Sequence, residues 1–470
     1  MHLHDLSGLA QAAAISRGEL TSVELTEHYL DRAERIGDTV GAFARITPDL
    51  ALELAAAADR KVAATGGGGL SPLHGVVCPV KDLENVAGVP TGFGTRLASA
   101  PATQDDNVVA AMRAAGLVFT GKTSTPEFGL PCYTEPDGAP AARTPWDLRC
   151  SAAGSSGGAA AAVAAGLAPV AQGSDGGGSI RLPAGVCGLV GIKPTRGRVS
   201  NGPVSDGVGD LVSIGPLART VADAAAMLDI MAVPFVGDPF RAQDPTTTFL
   251  AAAHTRPGQL RVGVFTEPMV GVTPPTAEVV TAVHDTAELL SALGHRVEEV
   301  PAPFTPADVP HFEVVWAAAV AGIPLPADSE TQLSPLTRWL RGRGLAYTAG
   351  DLAAAVNLMR RAARRGLLAT AHYDVLVAPT AAAGPFPVGS MRDDADPARD
   401  FDAQKQWASY TAACNVSGQP AINVPLHWTA GGIPIGVQLI GRPNSESTLI
   451  ALSAQLEEAQ PWQHRRPTLW

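Results

Sequence analysis

Residues Ser151-Ala-Ala-Gly-Ser155-Ser156-Gly-Gly and Gly173-Ser-Asp175-Gly-Gly-Gly-Ser179-Ile-Arg181 form two glycine-rich segments that carry serines. The alanine-rich stretch 157–165 lies between them and predicts a helix, which Gly166 caps before a strand over 168–172. A helix followed by a strand and a glycine-rich turn is typical of an α/β protein. A flexible linker would not alternate with apolar helices in this way.

The same alternation of helix and strand extends to both sides of these segments. A strand is predicted over 75–81, ending at Lys81, and a helix over 107–115. The second half adds further elements, namely the strands 260–265, 295–300, 373–378 and 433–440 and the helices 276–293 and 446–458. We therefore expect one large α/β domain over 1–470, with a central mixed, twisted β-sheet covered by helices on both faces.

Three regions of this domain have distinct patterns. Residues 1–65 predict an N-terminal helical region, in which Thr21 and Glu24 form a capping box. Residues 75–232 contain the serine and lysine motifs and predict the catalytic core. Residues 301–350 are rich in proline, and we expect them to be an irregular and variable surface region that could cover the substrate pocket.

Composition excludes several classes of function. The 470 residues are 46% hydrophobic and 17% charged, which is typical of a globular protein, and the net charge of −11 argues against a nucleic-acid surface. The five cysteines form no CxxC pair, which favours a reducing compartment. The first thirty residues lack a signal-peptide pattern, and no long apolar run predicts a membrane span. We expect a cytoplasmic protein that binds neither membrane nor nucleic acid.

One motif suggests a nucleotide site and is better explained by local structure. Residues 116–123 fit the P-loop pattern GxxxxGK[ST], but a predicted helix precedes Gly116 and strand-like residues separate the two glycines. A helix cap followed by a buried strand is therefore the preferred interpretation. The sequence also lacks HExxH and Cys/His clusters, and no histidine lies between His74 and His254. We expect neither a metal nor a cofactor.

The serines favour acyl transfer with an unusual base. Ser179 follows three glycines, whose backbone N–H groups could converge as an oxyanion hole, and its context differs from the G-x-S-x-G elbow of Ser-His-Asp enzymes. A lysine can act as the base once burial lowers its pKa. Lys81 is the preferred candidate because it follows a nearly uncharged strand, with Lys122 and Lys193 as alternatives.

At these residues the chain resembles the amidase signature family. Ser155 and Ser179 are 24 positions apart, which is the separation that this family keeps. Ala153 is a departure, since the family usually has glycine there, but it lies outside the expected proton path. The resemblance covers nearly the whole chain and is carried by the segments 75–82, 121–128, 154–158, 173–183, 191–195, 415–421 and 432–438.

The resemblance implies a role for each matching residue. Ser179 would be the nucleophile that forms an acyl-enzyme, and Ser155 would be a bridging serine that follows a cis peptide bond. Lys81 would act as the neutral base, taking the Ser179 proton through the Ser155 hydroxyl and later returning it to the leaving amine.

Other residues would support this triad. The backbone N–H groups of Gly176, Gly177, Gly178 and Ser179 would form the oxyanion hole. We expect Asp175 and Arg181 to brace the loop, since they could pair with each other. Further candidates, as substrate contacts, are Gly129 and Cys132.

The substrate is less well determined by the sequence. The segments 134–136, 415–420 and 460–468 most resemble the branch that includes 6-aminohexanoate cyclic-dimer hydrolase and aryl acylamidases. Few charged residues flank the site, which favours an apolar or aryl acyl group, so small apolar or aryl amides, nylon oligomers and carbamates are the candidate substrates. The alternative is the A subunit of a glutamine-dependent tRNA amidotransferase, although Arg196 and Leu182 depart from its pattern. Family resemblance also suggests a homodimer.

Overall fold

A computed structural model describes residues 2–203 and 209–470 of the chain. Within these ranges it has eleven strands: β1 (Phe43–Ile46), β2 (Val80–Lys81), β3 (Gly121–Thr123), β4 (Val170–Asp175), β5 (Val190–Lys193), β6 (Ser213–Ala218), β7 (Arg261–Val264), β8 (Arg296–Glu299), β9 (Val375–Pro379), β10 (Ala421–Trp428) and β11 (Pro434–Gly441). Eight of them form the main sheet, and three form a small second sheet in the order β1-β3-β2.

The main sheet is mixed. Its strand order is β4-β6-β5-β10-β11-β9-β7-β8. Strands β7, β8 and β9 pair in parallel, whereas all other neighbours are antiparallel. The prediction of one α/β domain with a mixed sheet is confirmed.

The described helices flank this sheet. They are α1 (Gly8–Ser16), α2 (Ser22–Ile36), α3 (Pro48–Thr65), α4 (Asn107–Ala114), α5 (Gly157–Ala164), α6 (Arg181–Cys187), α7 (Val221–Met231), α8 (Phe249–Ala253), α9 (Ala277–Ala292), α10 (Val309–Ala321), α11 (Pro335–Ala346), α12 (Ala349–Ala369), α13 (Pro397–Trp407), α14 (Ala412–Ser417) and α15 (Glu446–Ala459). Short 3₁₀ helices are Leu3–Asp5, Glu127–Gly129, Pro306–Asp308 and Glu330–Gln332. None of the helices in the described ranges has both the length and the apolar composition required to span a bilayer.

Alternate side chains of the central strands enter separate cores. On β6, Leu217 packs into a core with the alanine-rich helices α5 and α6, whereas its neighbour Ala218 packs into a core with α7, α9 and α15. Because successive side chains of a strand point to opposite faces, helices cover both faces of the sheet. The first core contains the two glycine-rich segments, so that the site is built on the α5/α6 face.

The prediction of irregular structure over 301–350 is wrong. Helix α10, helix α11 and the start of α12 occupy much of this region. Three of its seven prolines lie at helix starts: Pro306 begins a 3₁₀ helix, and Pro310 and Pro335 occupy the first turns of α10 and α11. Proline is tolerated there because the first N–H groups of a helix have no intrahelical acceptor. The same prolines suggested loops in the sequence.

Candidate active site

The loop that carries Ser179 runs from the end of β4 to the start of α6. Asp175, the last residue of β4, accepts the N–H of Gly178 at 2.8 Å on Oδ1 and that of Ile180 at 3.2 Å on Oδ2. Gly178 has φ of +136°, and a side chain there would collide with Thr411. The carboxylate and the glycine therefore hold this loop in one conformation.

Arg181 pairs with Asp175 in the interior. Its Nη2 lies 2.9 Å from Asp175 Oδ1 and its Nε 3.0 Å from Oδ2, and both side chains are fully buried. Burial raises the pKa of the Asp175 carboxyl, but the Arg181 guanidinium outweighs it, so that this pKa falls to about 2. Breaking a buried pair by removing one partner costs about 3–5 kcal/mol. The contact between Asp175 and Arg181 expected from the sequence is present in the structure.

This pair also connects distant parts of the chain. Arg181 donates to Asn415 Oδ1 at 2.9 Å and to Gln438 Oε1 at 3.1 Å. Asn415 in turn donates its side-chain amide to the Asp175 carbonyl at 2.7 Å. The Ser179 loop is therefore fastened to α14 and β11, and Asn415 and Gln438 are supporting residues that the sequence reasoning did not assign.

The backbone N–H groups of the loop divide into two sets. Within residues 2–203 and 209–470, those of Gly176, Gly177 and Ser179 have no hydrogen-bond acceptor. The N–H of Gly178 points instead to Asp175. Of the four predicted oxyanion donors, three are thus free to receive a developing negative charge, and the fourth braces the loop.

Ser155 lies at the start of α5, next to the Ser179 loop. The Gly154–Ser155 peptide bond is cis, as the family resemblance implied. The following residue, Ser156, joins the two glycine-rich segments, since its N–H donates to the Ser179 carbonyl at 3.1 Å and its Oγ to the Ser174 carbonyl at 3.1 Å. Ser156 therefore fixes the position of Ser155 relative to Ser179.

Lys81 reaches this centre from the end of β2. Its Nζ donates to Ser155 Oγ at 2.8 Å and to Ser174 Oγ at 3.0 Å, and the side chain is fully buried. Burial lowers the pKa of Lys81 to about 7, against the opposing charges of Glu84 and Asp175. A lysine with this pKa is neutral in a substantial fraction of molecules near pH 7 and can accept a proton. Ser174 is a partner that sequence reasoning did not assign.

The other two lysines that could serve as the base have different partners. Lys122 Nζ lies 3.0 Å from Asp82 Oδ1 and 2.7 Å from the Glu84 carbonyl. Lys193 donates to the Pro194 carbonyl at 2.8 Å, and burial also lowers its pKa to about 7. A lowered pKa therefore does not distinguish Lys193 from Lys81, but the hydrogen bond to Ser155 does.

Two cavities open at this centre. The larger has a volume of about 530 Å³ and includes Ser155 and Gly129 in its walls, while a smaller one of about 80 Å³ includes Ser179 and Cys132. A side chain at position 129 would place its Cβ 3.2 Å from Ser155 Oγ, so glycine leaves space next to the Ser155 hydroxyl. Burial raises the pKa of the Cys132 thiol, which disfavours a reactive thiolate.

Two aromatic residues of α10 lie over the Ser179 loop. The rings of Phe312 and Trp316 are stacked with centroids 5.4 Å apart, and Trp316 lies against Gly176 and contributes to both cavities. Their spacing of four residues puts both on one helix face. That spacing is visible in the sequence, but it became informative only once the region was known to be helical.

The chain matches known proteins along most of its length. The Amidase family model matches residues 24–450. The 6-aminohexanoate-cyclic-dimer hydrolase of Paenarthrobacter ureafaciens is 35% identical, over 98% of this chain and 96% of the relative. A solved structure of 6-aminohexanoate cyclic dimer hydrolase superposes with a TM-score of 0.91 at 32% identity and covers 100% of both chains. A bacterial aryl acylamidase of the amidase signature family has a TM-score of 0.86 at 25% identity, with 98% of both chains covered. The chain therefore belongs to the amidase signature family and is a hydrolase of C–N amide bonds.

Proposed function

We propose that the enzyme hydrolyses amides through an acyl-enzyme on Ser179, with Ser155 as the bridging serine and Lys81 as the base. The observation that carries this proposal is the buried hydrogen bond of 2.8 Å from Lys81 Nζ to Ser155 Oγ. Neutral Lys81 takes the Ser155 proton while Ser155 takes the proton of Ser179, and Ser179 Oγ forms a bond to the substrate carbonyl carbon.

The second half of the reaction reverses this proton path. The tetrahedral intermediate collapses, its C–N bond breaks, and the leaving nitrogen receives a proton from Ser155, which is replenished by Lys81. Water then attacks the ester on Ser179 in the same way and releases the acid. The free N–H groups of Gly176, Gly177 and Ser179 support this mechanism because they can stabilise the oxyanion in both steps.

The walls of the smaller cavity support an apolar or aryl acyl group. Besides Ser179, this cavity is lined mainly by apolar side chains, among them Leu130, Leu182, Phe312 and Trp316. Two similar proteins are named for amide substrates, one as a 6-aminohexanoate-cyclic-dimer hydrolase and the other as an aryl acylamidase. Small apolar or aryl amides are therefore the proposed substrates, with nylon oligomers and carbamates as further members of the set.

An acyl-enzyme predicts a common intermediate for substrates that share an acyl group. With hydroxylamine as a competing acceptor, the ratio of hydroxamate to free acid is expected to be the same for an anilide, an alkylamide and an ester of one acid. The rates of the three substrates will differ, since their leaving groups differ. Product ratios that change with the leaving group would argue for direct attack by water.

Trp316→Ala is expected to change the choice of acyl group. Because the ring contributes to both cavities, its removal joins them, and we expect the kcat/KM ratio of a naphthoyl anilide over an acetanilide to rise about tenfold. Trp316→Phe, which keeps an aromatic ring, should give an intermediate ratio. An equal loss with both anilides would contradict a role of Trp316 in acyl selection.

A further inference from the structure

The described walls of the larger cavity carry charged groups of one sign only. Among the described residues in its walls, the charged ones are Glu84 and Asp106, and both are acidic. Much of the remaining wall is apolar, including Phe93, Phe128 and Leu325. An apolar cavity with carboxyl groups and no cationic side chain in its described walls is complementary to an aliphatic or aromatic group that ends in a positive charge.

Glu84 is the carboxyl group in this wall without a partner. Its side chain is only 8% exposed, and neither of its oxygens accepts a hydrogen bond or forms an ion pair within residues 2–203 and 209–470. The side chain of the nearby Gln172 lowers the pKa of Glu84, although the hydrogen bond of its Nε2 at 3.2 Å goes to the Gly173 carbonyl. The Glu84 oxygens are not among the fully enclosed polar atoms and are accessible from the cavity, where a protonated amine would supply a hydrogen-bond donor.

The charged side chains next to Glu84 already have partners of their own. Lys122 contacts Asp82 and the backbone carbonyl of Glu84, and Asp106 accepts the backbone N–H of Asn85 at 2.7 Å. Burial raises the pKa of Glu84 to about 7 and the negative charge of Asp106 acts in the same direction, whereas Lys81, Lys122 and Gln172 oppose this shift. A cation beside Glu84 would favour its ionised form, so binding of the cation and ionisation of the carboxyl group reinforce each other.

The position of Ser155 indicates which half of the substrate enters this cavity. This step rests on the proposed function, in which Ser155 returns a proton to the leaving nitrogen. Ser155 contributes to the wall of the larger cavity and Ser179 to the wall of the smaller one. The leaving amine therefore faces the larger cavity, and the acyl group faces the smaller one.

We propose that the larger cavity binds the leaving half of a monoacylated diamine, an amide whose nitrogen substituent ends in a second, protonated amino group. The carboxylate of Glu84 accepts hydrogen bonds from that ammonium group, while the apolar walls contact the carbon chain between the two nitrogens. Hydrolysis adds one water, breaks the C–N bond and yields a carboxylic acid and a free diamine. A leaving amine that ends in a carboxylate is disfavoured, because Glu84 and Asp106 repel it. Among the substrates proposed above, this places linear nylon oligomers, whose leaving amine ends in a carboxylate, below amides with a neutral or cationic leaving amine.

The test compares amides that differ only in the end group of the leaving amine. Monoacetylated diamines with three to six carbons are assayed beside N-alkylacetamides of equal length and beside acetamido-alkanoates, with acetate release as the common signal. The wild-type enzyme is expected to show kcat/KM about 10- to 100-fold higher for the ammonium compounds than for the neutral ones, with the carboxylates slowest. Glu84→Gln keeps the shape of the side chain and should reduce this ratio about tenfold or more.

Glu288→Gln is the matched control, since Glu288 is an exposed carboxylate on α9 and its loss changes the net charge equally. Its ratio of ammonium to neutral substrate should equal that of the wild type. Equal rates of wild-type enzyme with ammonium and neutral amides would overturn the inference and leave the proposed function standing. If kcat/KM of the Glu84→Gln variant fell by the same factor for all substrates, the inference would also be overturned, because Glu84 would then act through Lys81. Absence of any acyl-enzyme on Ser179 would instead refute the proposed function.

Discussion

Ser179→Ala is expected to lower kcat for amide hydrolysis by about 10⁴-fold or more. The hydroxyl oxygen of Ser179 is the atom that bonds to the substrate in the proposed mechanism, so its removal removes the nucleophile. Alanine differs from serine by one oxygen atom, and the structure records no hydrogen bond from Ser179 Oγ within the described residues. We therefore expect the variant to fold normally, since no such contact is lost.

The measurement combines kinetics with covalent labelling. A fluorophosphonate should attach to the wild-type enzyme at Ser179 and fail to attach to Ser179→Ala, while the melting temperature stays near that of the wild type. Ser291→Ala, which removes an exposed hydroxyl on α9, should keep both labelling and activity. Near-wild-type turnover of Ser179→Ala would eliminate Ser179 as the nucleophile.

Lys81→Met is expected to reduce kcat/KM by about 10³-fold and to remove the pH dependence that Lys81 causes. Because the base must be neutral and its pKa is lowered to about 7, wild-type kcat/KM should rise about tenfold per pH unit below pH 7 and level off above it. Methionine has a similar length and no titratable group, so this rise should disappear in the variant.

Two controls separate catalysis from structure. Lys61→Met removes an exposed lysine of α3 and should retain both the rate and the wild-type pH profile. Lys81→Arg keeps a positive charge that cannot be removed near neutral pH, so it should be as inactive as Lys81→Met. A Lys81→Met enzyme that keeps the rise through pH 7 would assign the base to another group, and Lys193, whose pKa is also lowered to about 7, would be the next to replace.

Periodic apolar segments made much of the fold predictable. The predicted strand 260–265 is β7 (Arg261–Val264), and the predicted helix 276–293 is α9 (Ala277–Ala292). Strand β10, at the centre of the sheet, was missed because Pro425 interrupts its apolar run, and proline in a central strand removes a ladder hydrogen bond. The register of β10 and β11 shifts between Val424 and His427, so an irregularity in the pairing accommodates the proline.

The residues of the candidate site could be predicted only where a reactive side chain lies within a distinctive sequence motif. Lys81, Ser155 and Ser179 could be chosen from the sequence because each lies in a distinctive motif. Ser174 and Trp316 could not, since their importance depends on contacts between segments far apart in the chain. Glu84 was not predicted from the sequence, since only the three-dimensional structure reveals that its side chain is buried in the wall of a cavity.

The hydrogen bonds from Asn415 and Gln438 to the Asp175–Arg181 pair have a consequence for biosynthesis. Asn415 follows Asp175 by 240 positions, and Gln438 follows Arg181 by 257 positions. A ribosome that has made the serine segments must therefore still make the 257 residues from Arg181 to Gln438, more than half of the chain, before the loop can make these contacts. Contacts between such distant positions form late, since long-range closure is slow. We therefore expect the Ser179 loop to reach its final conformation only after most of the chain has been made.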